Sequence, residues 1–357
     1  MRMIQERFGK QPCGQSVLFA NPCKTPNDIA VAKDLKIPWV TADSVEELVK
    51  MDEASYRPDT LLRIAVDDSG SACPFSTKFG LDPNDVASVA KEASKRNIPI
   101  VGLSFHVGSG SSSPYAYRSA VEQASAQWKA LQRDGLVGPI KALDIGGGWS
   151  HKPEEFIAQA TQVKRGLNYG VRPHICLAEP GRFFAAPTHD LYVKVVGKKP
   201  RAGGGWRYTI DESIYGQFSC IPFDHATPRI GRVRVGVDEA PRGKAPATIF
   251  GRTCDSLDWI ANSAGMEELF VGDWLVVEDM GAYTTATATE FNGFPKPESI
   301  ETNERLVAGD VSWLTGLDFP LAKQLSVAAA AAGVPSAPLV SFPSYPATMT
   351  KLNAKMA

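Results

Sequence analysis

Residues 16–30, SVLFANPCKTPNDIA, decide how the fold is read. A short apolar run reads as a buried strand, passes through Lys24, and enters a segment whose apolar positions recur at helical spacing. A strand running straight into a helix is half of a parallel βα unit. The lysine between them raises a second question, whether Lys24 is catalytic.

Outward from this stretch the same rhythm continues to about Pro180. The apolar runs PWVTA, LLRIAV, IPIVGLSF, IKALDI and HICLAE alternate with SVEELVKM, PNDVASVAKEASKRN and SPYAYRSAVEQASAQWKALQRDG, which open on capping residues and carry helical spacing. Parallel strands joined by helices form a barrel or a doubly wound sheet. Polar and glycine-rich residues follow the end of nearly every strand, and GGG and EPGR follow the last two, where (β/α)8 barrels often hold phosphate. The reading is therefore α/β, a barrel with a C-terminal β-rich domain. That second domain begins near Asp190, where short Val-, Tyr- and Ile-rich runs such as DLYVKVVGKK and WRYTID are broken by Gly and Pro. The expected boundaries are 1–189 for the barrel, 190–325 for the β-sandwich or β-barrel-like domain, and 326–357 for an Ala/Pro-rich tail.

Composition narrows the function. The chain has 357 residues, 43% of them apolar and 22% charged, which is globular composition. With 38 basic and 39 acidic side chains its formal charge is −1, so nucleic acid and anionic membranes are not expected partners. MRMIQERFGKQP is charged and has no apolar core, and no later window approaches the roughly 18 apolar residues of a membrane span, so a cytoplasmic location is expected. The six cysteines, Cys13, Cys23, Cys73, Cys176, Cys220 and Cys254, form no C-x-x-C pair and stand near no His cluster of metal spacing. No metal site is expected, and most of these thiols read as buried.

Several strand ends carry chemistry. DIGGGWS (144–150) is a turn whose bare backbone suits an anion or is a plain tight turn. LAEPGRFF (177–184) sets Glu179 at the end of a buried strand with Gly181 and Arg182 beside it, a pairing that suits phosphate. LSFHVGSGSSS (103–113) places His106 and Ser109 at another strand end, with His106 either structural or catalytic. FGRTCDSLDWI (250–260) sets Cys254 beside Asp255, and IPFDHAT (221–227) offers Asp224 and His225.

Together, ANPCK, LRIAVDDS, SFHVGSG, LDIGGG, EPGR, CDSLD and MGAYT, in that order, resemble the eukaryotic ornithine decarboxylase group of fold-type III pyridoxal-phosphate enzymes over about Ser16 to Phe294. The resemblance implies pyridoxal 5′-phosphate as cofactor and decarboxylation of a basic diamino acid, ornithine or a relative, to the amine. It implies that His106 stacks on the pyridine ring and that Glu179 holds the ring nitrogen protonated. Ser109, Gly148, Pro180, Gly181, Arg182 and Tyr283 are implied at the cofactor, chiefly its phosphate. Phe223, Asp224 and Asp255 are implied at the substrate, the two carboxylates taking its distal ammonium, and Cys254 returns a proton after carbon dioxide leaves. Since Cys254 and Asp255 act in this family on the other subunit's cofactor, a head-to-tail homodimer is implied, with Lys78 and Asp258 bridging it.

Within that resemblance ANPCK is the third barrel strand, and its lysine does not bind the cofactor. The cofactor-bearing lysine of these enzymes ends the first strand, and nothing similar precedes Ser16. The chain is therefore expected to start inside a domain, with six of eight barrel strands and the first two missing, and to have little activity as written. Pro74 stands in ACPFSTKFG where the family usually has an arginine. That departure keeps open a catalytically impaired regulatory homologue, comparable to antizyme inhibitors and bound to an antizyme-like partner, and a specialised decarboxylase of secondary metabolism.

Overall fold

The computed structural model describes residues 17–111, 113–234, 242–302 and 311–323. Met1–Gln15 and the Ala/Pro-rich tail 326–357 lie outside the described residues, as do the expectations attached to them.

All six apolar runs form strands of one parallel sheet: β1 (Leu18–Phe19), β2 (Trp39–Ala42), β3 (Asp59–Arg63), β5 (Ile100–Ser104), β7 (Ala142–Asp144) and β8 (Ile175–Leu177). Their order in the sheet is their order in the chain. A doubly wound sheet would reverse direction at a switch point, so this monotonic winding is the arc of a (β/α) barrel. The first helix, Pro26–Asp34, starts on a reciprocal cap between Thr25 and Asp28 with a proline in its first turn. Val45–Glu53 starts on Ser44, whose hydroxyl accepts the Glu47 amide.

Longer helices follow at Val86–Lys95, Tyr115–Arg133 and Pro153–Tyr169. Their buried stripes, such as Val86, Val89, Ala90 and Ala93, pack against Val40, Ala42, Leu62, Leu103 and Leu143 from one face of the sheet. Each such side chain contributes about 1.5–3 kcal/mol by leaving water. The opposite face carries only a small apolar group, Leu61, Val101 and Ala142 with Leu18 and Trp39, and turns polar toward the strand ends. A two-stranded antiparallel hairpin, β4 (Ser71–Cys73) with β6 (Ser109–Ser111), lies just beyond those ends.

The second half is an eight-stranded sheet built from β9 (Leu191–Pro200), β10 (Trp206–Ile210), β11 (Ile230–Val233), β12 (Lys244–Phe250), β13 (Trp259–Glu267), β14 (Trp274–Val277), β15 (Val311–Trp313) and β16 (Leu317–Asp318). The order is β15-β11-β14-β9-β10-β12-β13-β16, antiparallel except for the parallel β10–β12 pair. Leu191, Val193 and Val195 alternate inward along β9 and join Tyr208, Ile249, Ile260 and Leu275 in a second core. No helix of the described residues is long and apolar enough to cross a membrane. Of the five described cysteines, Cys23, Cys176 and Cys254 are exposed and Cys220 is buried, which corrects the expectation that most are interior. Cys176 owes its exposure to β8, the outermost strand of the parallel sheet.

Lys24 has a structural role. Its ammonium is fully buried, 3.0 Å from Glu47 Oε1, and donates to the Thr41 carbonyl at 2.7 Å and the Asn21 carbonyl at 3.0 Å. Burial lowers its pKa while Glu47 raises it. It bolts the turn after β1 to β2 and to the helix that carries Glu47. Lys24→Met removes a buried charge partner of Glu47 and leaves it Lys50 and the residue 24 amide, so urea unfolding should show a loss of about 3 kcal/mol. An unchanged midpoint would contradict this role.

Candidate active site

Parallel register gathers the chemistry at one edge of the sheet. Arg63 ends β3, Ser104 ends β5 opposite it, and Asp144 ends β7 opposite Ser104. Asp144 is completely buried; it accepts the Ser104 hydroxyl at 3.0 Å and the Gly146 amide at 3.0 Å. Glu179, just past β8, shares a hydrogen bond with Asp144. Burial first, then the Asp144 charge, pushes the Glu179 carboxyl up to about 7, and burial also raises Asp144. Glu179 lies on the open rim of the sheet and reaches solvent, which partly screens it from Asp144. Arg63 opposes the rise with its own charge. Its guanidinium sits 4.8 Å from the centre of the Phe79 ring.

His106 follows β5. Its Nδ1 accepts the Gly108 amide at 3.0 Å, which puts the proton of the neutral ring on Nε2. Burial, then Arg63, lowers the imidazole to about 4, so the ring is uncharged at neutral pH. The Phe75 ring packs against it, 4.8 Å between centroids at 53°. Gly147 holds His106 and Glu179 together: a Cβ there would sit 2.7 Å from His106 Nε2 and 3.1 Å from the Glu179 carbonyl.

The third cluster spans both halves of the molecule. Arg182 donates from Nη2 to the Ser109 hydroxyl at 2.7 Å and from Nη1 and Nη2 to the two Asp224 oxygens at 2.8 and 2.7 Å. The Tyr283 ring lies 4.6 Å from the guanidinium carbon. Gly148, at φ +86°, closes the cradle, and any side chain there would strike the Gly108 carbonyl at 2.1 Å. Ser109, Gly148, Arg182 and Asp224 line a cavity of about 770 Å³, within the range that small-molecule sites occupy.

Among the residues expected from the sequence, Ser109, Gly148, Arg182, Tyr283 and Asp224 thus come together, and Gly147 lies between the His106 ring and the Glu179 main chain. Arg182 and Asp224, assigned to different ligands, are ion-paired with each other. The Gly181 amide already donates to the Glu179 carbonyl at 2.8 Å, inside the turn that Pro180 enters. Phe223, beside Asp224, is 72% exposed. Cys254 and Asp255 stand apart from the cavity lining. Cys254 Sγ lies 3.6 Å from Asn292 Nδ2, and Asp255 takes the Leu257 amide and the Tyr215 hydroxyl, which together hold its carboxyl below the usual range.

Lys78 and Asp258, implied as a bridge between two subunits, each have partners within their own chain. Asp258 is 1% exposed and accepts the Ile214 amide at 3.0 Å and the Thr253 amide and hydroxyl at 2.9 and 2.7 Å, which fixes the turn that carries Cys254. Lys78 lies over the Phe79 ring.

Residues 5–186 match the pyridoxal binding domain of the pyridoxal-dependent decarboxylases. The chain is 39% identical over 307 residues to ornithine decarboxylase of Caenorhabditis elegans, covering 81% of this chain and 72% of that protein. This chain belongs to the pyridoxal-dependent decarboxylase family.

Ornithine decarboxylase of Schizosaccharomyces pombe is 37% identical, with 82% of this chain and 68% of that protein aligned. Among solved structures, the arginine decarboxylase of Paramecium bursaria Chlorella virus bound to agmatine superposes with a TM-score of 0.72 at 32% identity, covering 79% of this chain and 76% of that one. The lysine/ornithine decarboxylase of Vibrio vulnificus complexed with cadaverine gives 0.70 at 32%, covering 80% and 75%. The site of this decarboxylase fits a phosphorylated aromatic aldehyde: a hydroxyl, a guanidinium and a glycine turn around one cavity, and a carboxylic acid at the next strand end.

Arg63, Asp144 and Phe75 were missed in the sequence. Arg63 had a signal, a lone arginine inside the apolar run LLRIAV; Asp144 was read only as the opening of a turn; Phe75 had none. Folded Glu179 keeps its proton to about 7 against an ordinary value of 4.5, so the pair contributes stability below about 4.5 that is lost as pH rises through 7. Asp144→Asn removes the second carboxylate, and denaturation at pH 5 and 7.5 should show a smaller loss across that interval than in the unaltered protein. Equal losses would mean that the two carboxyls are not coupled.

Proposed function

We propose that this chain decarboxylates a basic diamino acid, ornithine or a close relative, with pyridoxal 5′-phosphate as cofactor. The observation that carries the reading is the Arg182 clamp: one guanidinium tied to Ser109 on the barrel side and to Asp224 on the other, lining a single cavity. The names of the relatives, decarboxylases of ornithine, lysine or arginine, support a substrate with a distal cation.

When bound, the cofactor supplies an electron sink for the bond to the leaving carboxylate. The protein does the rest. Ser109, Gly148 and Arg182, with Pro180, Gly181 and Tyr283 around them, hold the phosphate. Glu179 keeps a proton at the pyridine nitrogen, and the uncharged His106 offers a flat face to the ring. Asp224 and Asp255 attract the distal ammonium beside Phe223, and the Cys254 thiol returns a proton to the substrate α-carbon. Because Cys254 and Asp255 lie off the cavity of their own chain, we assign them to the cavity of a second copy in a head-to-tail homodimer. The domain division at 189/190 also stands as a proposal, supported by the two separate apolar cores. A regulatory homologue that binds an antizyme-like partner is the competing reading, motivated by Pro74.

The test is carbon dioxide release by the full chain supplied with pyridoxal 5′-phosphate and, separately, ornithine, lysine and arginine. Turnover of at least one, however slow, should fall about 10²–10⁴-fold in Cys254→Ala, the usual contribution of a positioned acid. Cofactor binding without turnover of any of the three favours the regulator.

A further inference from the structure

We propose that Asp224 and a phosphate monoester compete for Arg182, so that a cation drawn to Asp224 releases the guanidinium and strengthens phosphate binding. This rests on the reading of Ser109, Gly148 and Arg182 as the phosphate cradle.

The pair is well isolated from water, with Arg182 and Asp224 side chains 20% and 10% exposed, so its charges are poorly screened. Both terminal nitrogens of Arg182 are taken by the two oxygens of Asp224, a fork-to-fork arrangement that cancels the charge the cradle presents. Neighbouring groups do not restore it. Cys73 and Cys220 face the pair, and burial, then Asp224, holds their thiols protonated at about 11 and about 12. Tyr283 covers the guanidinium with its ring. Lys152 and Arg229, also on the cavity wall, are paired with Glu155 at 3.1 Å and Glu278 at 3.1 Å. A phosphate dianion beside Ser109 therefore meets the Arg182 charge less that of Asp224.

Two consequences follow from the sign of these charges. Removing the carboxylate strengthens anion binding, although Asp224 is a substrate-side residue. An ammonium at Asp224 does the same, and by reciprocity the phosphate strengthens the hold on the ammonium. Cofactor and basic substrate then assemble cooperatively through one ion pair. If the pair only pins the two halves together, removing Asp224 loosens Arg182 and phosphate binds no better.

The experiment is calorimetric titration of the full chain with inorganic phosphate, with and without 1,4-diaminobutane, for the unaltered protein, Asp224→Asn and Arg182→Ala. Asp224→Asn should bind phosphate about tenfold tighter. The diamine should tighten phosphate in the unaltered protein, a comparison that needs no variant to fold, and should have no effect in Asp224→Asn. Pyridoxal 5′-phosphate, followed by absorbance, should show the same gain, and pyridoxal, which lacks the phosphate, should show none. Phosphate binding that is lost in Arg182→Ala but unmoved or weakened in Asp224→Asn, with no diamine effect, overturns the coupling alone. Phosphate binding that is absent, or unaffected by Arg182→Ala, overturns the cradle and the coupling with it.

Discussion

One guanidinium holds the active cavity together. Arg182 comes from the short helix after the last described parallel strand, Ser109 from the hairpin beyond the strand ends, Asp224 from a helix of the second half, and Tyr283 from the turn after β14. Each half has its own apolar core, so each has its own reason to fold. Their shared site depends on a contact between residues 42 apart in sequence and another between residues 73 apart. The charge-assisted geometry of that contact fixes where an anion and a cation can be accommodated.

Deeper at the strand ends, the parallel register imposes a second constraint. Arg63, Ser104 and Asp144 must end on the same edge, and Glu179 follows on the next strand. Burial makes two ionised carboxylates there costly, so one tends to keep a proton, while the same burial keeps His106 neutral. A site that must handle a proton at a ring nitrogen and a flat uncharged face beside it receives both from the same strand-end edge.

Much of this was legible in the sequence. Strands of a parallel sheet covered by helices read as unbroken apolar runs, which is why WVTA and LLRIA stand out and the order of six strands could be anticipated. The hairpin of SAC against SGS carries no such pattern, yet it presents Ser109 to Arg182. The motifs around His106, Glu179 and Arg182 located the site but not its wiring. Nothing local tells that Arg182 pairs with Asp224, that Asp258 accepts from Thr253 and Ile214, or that Asp144 shares a hydrogen bond with Glu179, because these depend on tertiary register. Phe75, next to Pro74, packs on His106, a contact that nothing in the local sequence announces.

The most direct test is an experimentally determined structure of the full chain bound to pyridoxal 5′-phosphate. The account predicts the phosphate within hydrogen-bond distance of Ser109, Gly148 and Arg182, and the pyridine nitrogen facing Glu179. A phosphate seated elsewhere, or a ring nitrogen turned away from Glu179, would contradict it.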